Sequence, residues 1–273
     1  MGQKLGQHFL INPSVLARIA DAIHPHTNET IIEVGPGHGE LTDALLALNP
    51  HIRLILIEKD AHLAKNLRDK YSTTSIEIIT GDVLTLLPSL LHPAPDTPHS
   101  VKVVGNIPYY LTGFLLHRLL ELEEPPHTIV FTIQKEVAER IVAHAPHMNL
   151  LAASVQYFGT PELLFTISRQ DFNPPPQVDS ATIRITLRTP ISTREERAIF
   201  FRVVKAGFSH PRKLLMSNLI AAFAVPKSTL ENIFTRLAIR HDARGQHLDI
   251  ATWSALSRDL QDSYPTLFAL PKS

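Results

Sequence analysis

Ile31-Ile32-Glu33-Val34-Gly35-Pro36-Gly37-His38-Gly39-Glu40-Leu41-Thr42 reads as a buried strand that runs into a glycine-rich turn and then into a helix. Glycines let the backbone take unusual angles and approach a ligand closely, so Gly35 and Gly37 mark the points of approach. The helix start behind them offers unpaired amides. Dinucleotide enzymes use a similar turn, but the spacing here is Gly-x-Gly-x-Gly, whereas a pyrophosphate is seated by Gly-x-Gly-x-x-Gly. Carboxylates shift the balance further. Glu33 precedes the turn, Glu58 ends the next strand in Leu56-Ile57-Glu58-Lys59-Asp60, and Asp82 follows the strand after that in Thr80-Gly81-Asp82-Val83. An acid at position 58 could accept hydrogen bonds from both hydroxyls of a ribose, and one at position 82 a bond from an adenine amino group. Acids at successive strand ends outline a nucleoside pocket at the carboxyl edge of a parallel sheet. A pyrophosphate would be less welcome among them.

Outward from this turn, short β-branched runs alternate with amphipathic stretches, the pattern of an α/β protein whose parallel sheet is covered by helices. Residues 30–34, 53–57, 75–79, 101–105 and 128–133 are predicted strands. Residues 41–48, 62–70, 112–122 and 135–144 carry apolar positions at helical spacing, and Val155 to Phe158 close a further helix. Asn12 before Pro13 predicts a capped helix ahead of the first strand. Residues 162–167 and 180–187, joined by a proline-rich loop, predict a closing antiparallel hairpin, since Ala-Thr-Ile-Arg-Ile-Thr-Leu alternates as a half-solvated strand does. From Arg194 strands give way to helices at 194–207, 213–223 and 228–237. A domain boundary is expected near Pro190, in Thr189-Pro190-Ile191-Ser192-Thr193, which divides the chain into 1–190 and 191–273. The segment 92–99, with three prolines, reads as a surface loop.

Composition narrows the chemistry. The 273 residues contain no cysteine, which excludes disulfides, thiolate metal sites and a cysteine nucleophile. The 15 histidines are scattered without ligand spacing, so no metal site is expected. No run approaches the roughly 20 apolar residues that span a bilayer, Met1 to Leu10 lacks the apolar core of a signal peptide, and Gly2 lacks the Ser or Thr that accompanies myristoylation. A cytoplasmic protein with no membrane association is expected. Net charge is zero, yet the sign is uneven: 14 Lys/Arg against 19 Asp/Glu up to Thr193, and 12 against 7 from Arg194 onward. The carboxyl-terminal part thus has the sign of a nucleic-acid-facing surface.

The fourth predicted strand ends in Val103-Val104-Gly105-Asn106-Ile107-Pro108-Tyr109-Tyr110. This turn closely resembles the Asn-[Leu/Ile]-Pro-Tyr signature of the ribosomal RNA adenine dimethyltransferases, the KsgA, Dim and Erm family. The chemistry suits those residue types. An exocyclic adenine amine is a poor nucleophile because its lone pair is delocalised into the ring. Acceptance of one amine hydrogen bond each by the Asn106 side-chain oxygen and the Pro108 carbonyl would steer the nitrogen towards a pyramidal shape, while Tyr109 stacks on the flipped base.

The resemblance extends along nearly the whole chain. Lys4-Leu5-Gly6-Gln7-His8-Phe9-Leu10 is similar to the amino-terminal segment that lies across the cofactor, with His8 and Leu10 at its contact positions. Gly35, Glu58, Asp82 and Asn106 carry over as contacts of S-adenosylmethionine, whose product is S-adenosylhomocysteine. Gln134-Lys135-Glu136-Val137-Ala138-Glu139-Arg140 matches another family block. Phe172-Asn173-Pro174-Pro175-Pro176-Gln177-Val178-Asp179-Ser180 resembles the loop whose Phe forms the second aromatic face around the target adenine, with Gln177 where the family usually has Lys. Phe208-Ser209-His210-Pro211-Arg212-Lys213 resembles the start of the family's RNA-facing helical domain, which makes Arg212 and Lys213 the expected RNA contacts. Arg244-Gly245-Gln246-His247-Leu248 departs from the family pattern at Gln246.

The resemblance implies a Rossmann-like class I methyltransferase fold with a seven-stranded mixed sheet in the order 3-2-1-4-5-7-6, followed by a small all-α domain. It also implies a monomer that dimethylates N6 of two adjacent adenines in the 3′-terminal hairpin of 16S rRNA during small-subunit assembly. Three alternatives compete. The antibiotic-resistance branch modifies 23S rRNA, but its members tend to be strongly basic. A non-catalytic assembly or RNA-binding factor would not need the Asn106 turn and the cofactor carboxylates. A nicotinamide-dependent dehydrogenase would have the other glycine spacing.

Overall fold

A computed structural model describes residues 8–26, 29–91, 100–189 and 192–268. Lys4 to Gln7 of the amino-terminal motif, the loop 92–99, and Pro190 with Ile191 of the expected linker lie outside the described residues. The described residues fall into two compact units, one within 1–139 and 159–188, the other within 140–158 and 189–273.

The first unit is built on seven strands: β1 (Thr30–Val34), β2 (Arg53–Glu58), β3 (Glu77–Thr80), β4 (Val101–Asn106), β5 (Thr128–Gln134), β6 (Gly159–Ile167) and β7 (Ser180–Leu187). Their order across the sheet is β3-β2-β1-β4-β5-β7-β6. The pairs among β1 to β5 are parallel, whereas β7 runs antiparallel to both β5 and β6. The sheet is therefore mixed, with the reversal expected at its far side. Every residue of β1 is buried, as befits a central strand covered on both faces. The hairpin of β6 and β7 starts three residues earlier than its sequence suggests, because Pro161 reads as a break; at the sheet edge a proline is tolerated within a strand.

Helices cover the sheet. They are α1 (Pro13–Ala22), α2 (Glu40–Leu48), α3 (Ala61–Lys70), α4 (Val83–Leu91), α5 (Thr112–Leu120) and α6 (Lys135–Ile141), the last of which carries the chain into the second unit. The Asn12 side chain accepts hydrogen bonds from the amides of Ser14 and Val15 and so caps α1, with Pro13 at its first position. Helix α1 buries Val15, Leu16 and Ile19 with Ile31, Leu54 and Val104 of the sheet and Leu41 and Leu45 of α2. Outside the main sheet, Phe9–Leu10 and Phe172–Asn173 form a short antiparallel pair, with Phe9 opposite Asn173 and Leu10 opposite Phe172.

The second unit is helical: α7 (Leu150–Phe158), α8 (Arg194–Gly207), α9 (Leu215–Phe223), α10 (Lys227–Arg236), α11 (Ile250–Ser263) and α12 (Pro265–Phe268). Its core joins Phe200, Val203 and Val204 of α8 to Leu219, Phe234 and Trp253, and includes Ala152 and Ala153 of α7. Helix α7 thus belongs to the helical unit although it precedes β6 in sequence.

Candidate active site

The carboxyl ends of β1, β2, β3 and β4 open into one cleft of the first unit. Its walls include Gly35, Gly37, Glu58, Asp82 and Asn106, which the acid and glycine pattern singles out, together with His8, Pro108, Tyr109 and Phe172. Gly35 and Gly37 both adopt positive φ, +65° and +61°. At Gly35 a Cβ would meet no atom within 4 Å, so the turn leaves open room on the cleft side. At Gly37 a Cβ would fall 2.8 Å from the Phe9 ring, which closes over this turn.

Glu58 stands at the end of β2 and is almost fully buried. One of its carboxylate oxygens accepts from the Gly37 amide at 3.2 Å and the other from the Asp60 amide at 2.8 Å. Burial pushes its pKa up, and the backbone donors of Asp60 and Gly37 pull it back. Asp82 contrasts with it: a hydrogen bond from Lys59 at 2.9 Å and one from the Leu84 amide at 3.0 Å hold its carboxyl below the usual range.

Glu33 does not line the cleft. It lies behind the glycine turn, wholly buried, with the Thr42 hydroxyl donating to it at 2.7 Å. Burial raises its pKa to about 8, against the pull of the Thr42 bond, so at neutral pH it is mostly an uncharged acid. The same turn is braced further by residues that the sequence did not single out. The Tyr71 hydroxyl lies 3.0 Å from the Gly39 carbonyl and 2.7 Å from Asp43, and Lys70 donates to the His38 carbonyl and to Asp43. No local signal connects Tyr71 to a turn 32 residues away.

At the mouth, the Asn106 side-chain amide nitrogen donates to the His8 carbonyl at 2.9 Å, which leaves its oxygen as the acceptor. The Ile107 amide donates to the Thr132 carbonyl of β5, and the Pro108 carbonyl accepts from the Leu111 amide at 2.8 Å. The Pro108 carbonyl therefore already holds one bond and has one lone pair left for a ligand. The Tyr109 hydroxyl shares a 2.9 Å hydrogen bond with Ser180, and the ring lies 6.2 Å from that of His8. Phe172 lines the cleft but is only 3% exposed. Leu10 is 4% exposed and packs in the core, and its neighbour Phe9 lines the cleft instead.

The antiparallel pair brings the two distant motif segments together. The Ile11 amide donates to the Asp171 carbonyl at 2.8 Å, Asn12 bonds the Asp171 carboxylate, and the His8 imidazole lies 2.7 Å from the Pro174 carbonyl. Gln177 lines a second cleft with Lys135 and Arg169. Arg212 and Lys213 are exposed in the turn before α9, in the second unit, and are not among the described residues that line the first cleft.

The family model for ribosomal RNA adenine dimethylases matches residues 2–258. The chain is 35% identical to ribosomal RNA small subunit methyltransferase A of Dehalococcoides mccartyi, over 92% of this chain and 86% of the relative. It is 34% identical to the protein of the same name from Streptococcus thermophilus, over 96% and 92%. Among solved structures it is similar to the 23S rRNA methyltransferase ErmE, with TM-score 0.75, 25% identity and coverage of 93% and 99%. A dimethyladenosine transferase from Plasmodium falciparum shares the fold with TM-score 0.77 at 22% identity, over 95% and 98%. A seven-stranded mixed sheet, a glycine turn backed by acids and an Asn-Ile-Pro-Tyr turn at one cleft accord with these matches: the chain belongs to the ribosomal RNA adenine dimethylase family.

Proposed function

We propose that this cleft takes S-adenosylmethionine together with an adenine flipped out of ribosomal RNA. In this reading the enzyme dimethylates N6 of two adjacent adenines in the 3′-terminal hairpin of 16S rRNA, within a small ribosomal subunit or its precursor. The observation that carries the reading is the placement of Asn106, whose amide nitrogen is held by the His8 carbonyl and which shares the cleft with Glu58 and Tyr109.

The residues fit the cofactor. The open face of Gly35 admits a ligand against the backbone, Glu58 offers its remaining lone pairs to two ribose hydroxyls, and Asp82, kept ionised by Lys59, accepts from an amino group. Gly37, His8 and the Asn106 backbone complete the cofactor side. Leu10 acts from the core by fixing the short strand that follows His8. When bound, the cofactor supplies an electrophilic methyl group on a sulfonium.

The chain's own part is positioning. Asn106 Oδ1 and the spare lone pair of the Pro108 carbonyl each accept one hydrogen of the adenine amine, which directs its lone pair out of the ring plane. Tyr109, fixed through Ser180, stacks on one face of the base, and the largely buried Phe172 meets the other. The amine sheds a proton to solvent after each transfer, so no strong base is needed. Arg212 and Lys213 contact RNA from the second unit.

We further propose a monomer working in the cytoplasm; among the described residues no helix is long and apolar enough to cross a membrane. Zero net charge predicts weak binding to isolated RNA and reliance on a structured particle. The likeness to ErmE favours a second reading, methylation of 23S rRNA. The test is transfer of labelled methyl groups to under-methylated small and large subunits by wild type and Asn106→Ala. Dimethyladenosine appearing only in small subunits, and lost in the variant, is expected. Transfer to large-subunit RNA alone would establish the second reading, and no transfer by wild type with subunit binding intact would favour an assembly factor.

A further inference from the structure

Helix α5 leaves the Asn106 turn with its inner face packed: Leu115, Leu116, Leu119 and Leu120 are buried. Its outer face is unusual. Tyr110 and Phe114 are 60% and 68% exposed, more than any other large hydrophobic side chain among the described residues. Arg118, one further turn along, is exposed as well. The amide of Leu111 bonds the Pro108 carbonyl and that of Leu115 bonds the Leu111 carbonyl, so the helical path is continuous from the turn. Phe114 and Arg118, four apart on α5, are surface neighbours, and Tyr110 lies in the turn immediately ahead of the helix, so the three exposed side chains follow one another as a stripe from turn to helix. Tyr110 also lines the cleft, so the stripe starts at the mouth of the site and runs away from it. From Asn106 to Leu120 the sequence holds no carboxylate, and the first acid beyond, Glu121, lies 3.4 Å from His117.

Two exposed aromatic rings and a guanidinium in line, continuous with a cleft that takes a base, match the chemistry of a nucleic-acid strand. Rings stack on bases of any sequence, and arginine contacts phosphate. We propose that this stripe is a binding site for the RNA nucleotides that flank the target adenine, with Tyr110 and Phe114 stacking a neighbouring base and Arg118 holding the backbone phosphate. The proposal rests on the RNA-methyltransferase reading above and extends it. A flipped base leaves its neighbours partly unstacked, and an aromatic platform beside the mouth offsets that loss, so the stripe acts in binding and registering the loop rather than in the transfer step.

The test compares full-length wild type, Tyr110→Ala/Phe114→Ala, Tyr110→Phe/Phe114→Tyr and Arg118→Ala on under-methylated small subunits. Stacking is worth roughly 1–3 kcal/mol per base, so the double alanine variant is expected to raise KM for subunits by about 10-fold or more. Its melting temperature stays near wild type. Phe114→Ala alone, at a residue outside the cleft lining, keeps kcat and S-adenosylmethionine affinity while raising KM, and the aromatic swap restores KM. Arg118→Ala is expected to lower the slope of log KM against log salt by about one, which the aromatic variants leave alone. Base-specific chemical probing of subunit complexes held with S-adenosylhomocysteine gives an independent readout: nucleotides beside the methylated adenines are protected by wild type and reactive with the double variant. An unchanged KM overturns the proposal. A raised KM with unchanged base reactivity also overturns it and assigns the stripe to a ribosomal protein. A parallel loss of cofactor affinity would make Tyr110 a cofactor wall instead. If wild type transfers no methyl group to RNA, the underlying reading fails, whatever the variants do.

Discussion

Two turns at neighbouring strand ends line the cleft, and they are built in opposite ways. The turn after β1 is glycine-rich, takes positive φ at Gly35, Gly37 and Gly39, and is braced from behind by a buried acid, a tyrosine and a lysine. The turn after β4 has fixed, bulky residues, and it brings the Asn106 side chain, the Tyr109 ring and Pro108, whose carbonyl has a spare lone pair, to the cleft. The first turn suits a ligand recognised through close backbone approach, the second one recognised by directed acceptors and a ring. The division predicts separable defects, cofactor binding on one side and target presentation on the other.

The largest effect should come from the second turn. Asn106→Ala removes the directed acceptor, and kcat is expected to fall by roughly 10² to 10³, the scale for a positioned polar group, while calorimetry finds cofactor affinity within a few fold of wild type. Loss of both together would erase the division. Glu58→Ala should give the mirror image, since hydrogen bonds to a charged group are worth about 1.5–3 kcal/mol; titration is expected to show cofactor affinity reduced about 100-fold. Gly37→Ala tests the bracing itself. Its positive φ and the Phe9 ring 2.8 Å from the new Cβ should cost about 1–3 kcal/mol in denaturant unfolding, with weaker cofactor binding as the turn shifts.

Glu33→Gln probes the buried acid through pH. Because the folded-state pKa is raised from 4.5 to about 8, the stability this group contributes is fully present below about pH 4.5 and is lost as pH rises towards 8. A glutamine keeps the Thr42 bond without ionising. The variant should therefore gain about 3 kcal/mol on wild type between pH 5.5 and pH 8 in urea titrations. An unchanged difference would place the proton elsewhere. The smallest effect is expected from Lys59→Ala: the pair with Asp82 is exposed, so the melting temperature should hold, with only a slight weakening of cofactor binding in low salt.

Much of this was legible in the sequence for identifiable reasons. Strands β1 and β7 keep their predicted bounds because one is a buried β-branched run and the other alternates cleanly between turn signals. The Gly35, Glu58, Asp82 and Asn106 positions converge because parallel strands deliver their carboxyl ends to one edge. Other features left no pattern. Helix α4 went unread because Pro88 sits inside it, and α11 because its polar residues dilute the apolar face that Trp253, Leu256 and Leu260 bury. That Leu10 packs inward while Phe9 meets the cleft depends on a two-residue pairing with Phe172 and Asn173, and two residues have no period to detect.

That pairing also orders events in time. The His8 imidazole meets the Pro174 carbonyl across a sequence separation of 166 residues, so a ribosome must release nearly two thirds of the chain before this wall of the cleft exists. Strands β1 to β5 can pair as they emerge, but the contact that sets His8 against Asn106 is a late, long-range closure. An emerging chain therefore acquires the parallel part of its sheet before this wall of its cleft, and an enzyme that modifies ribosomal RNA becomes competent only once its own synthesis has passed the sheet's first five strands.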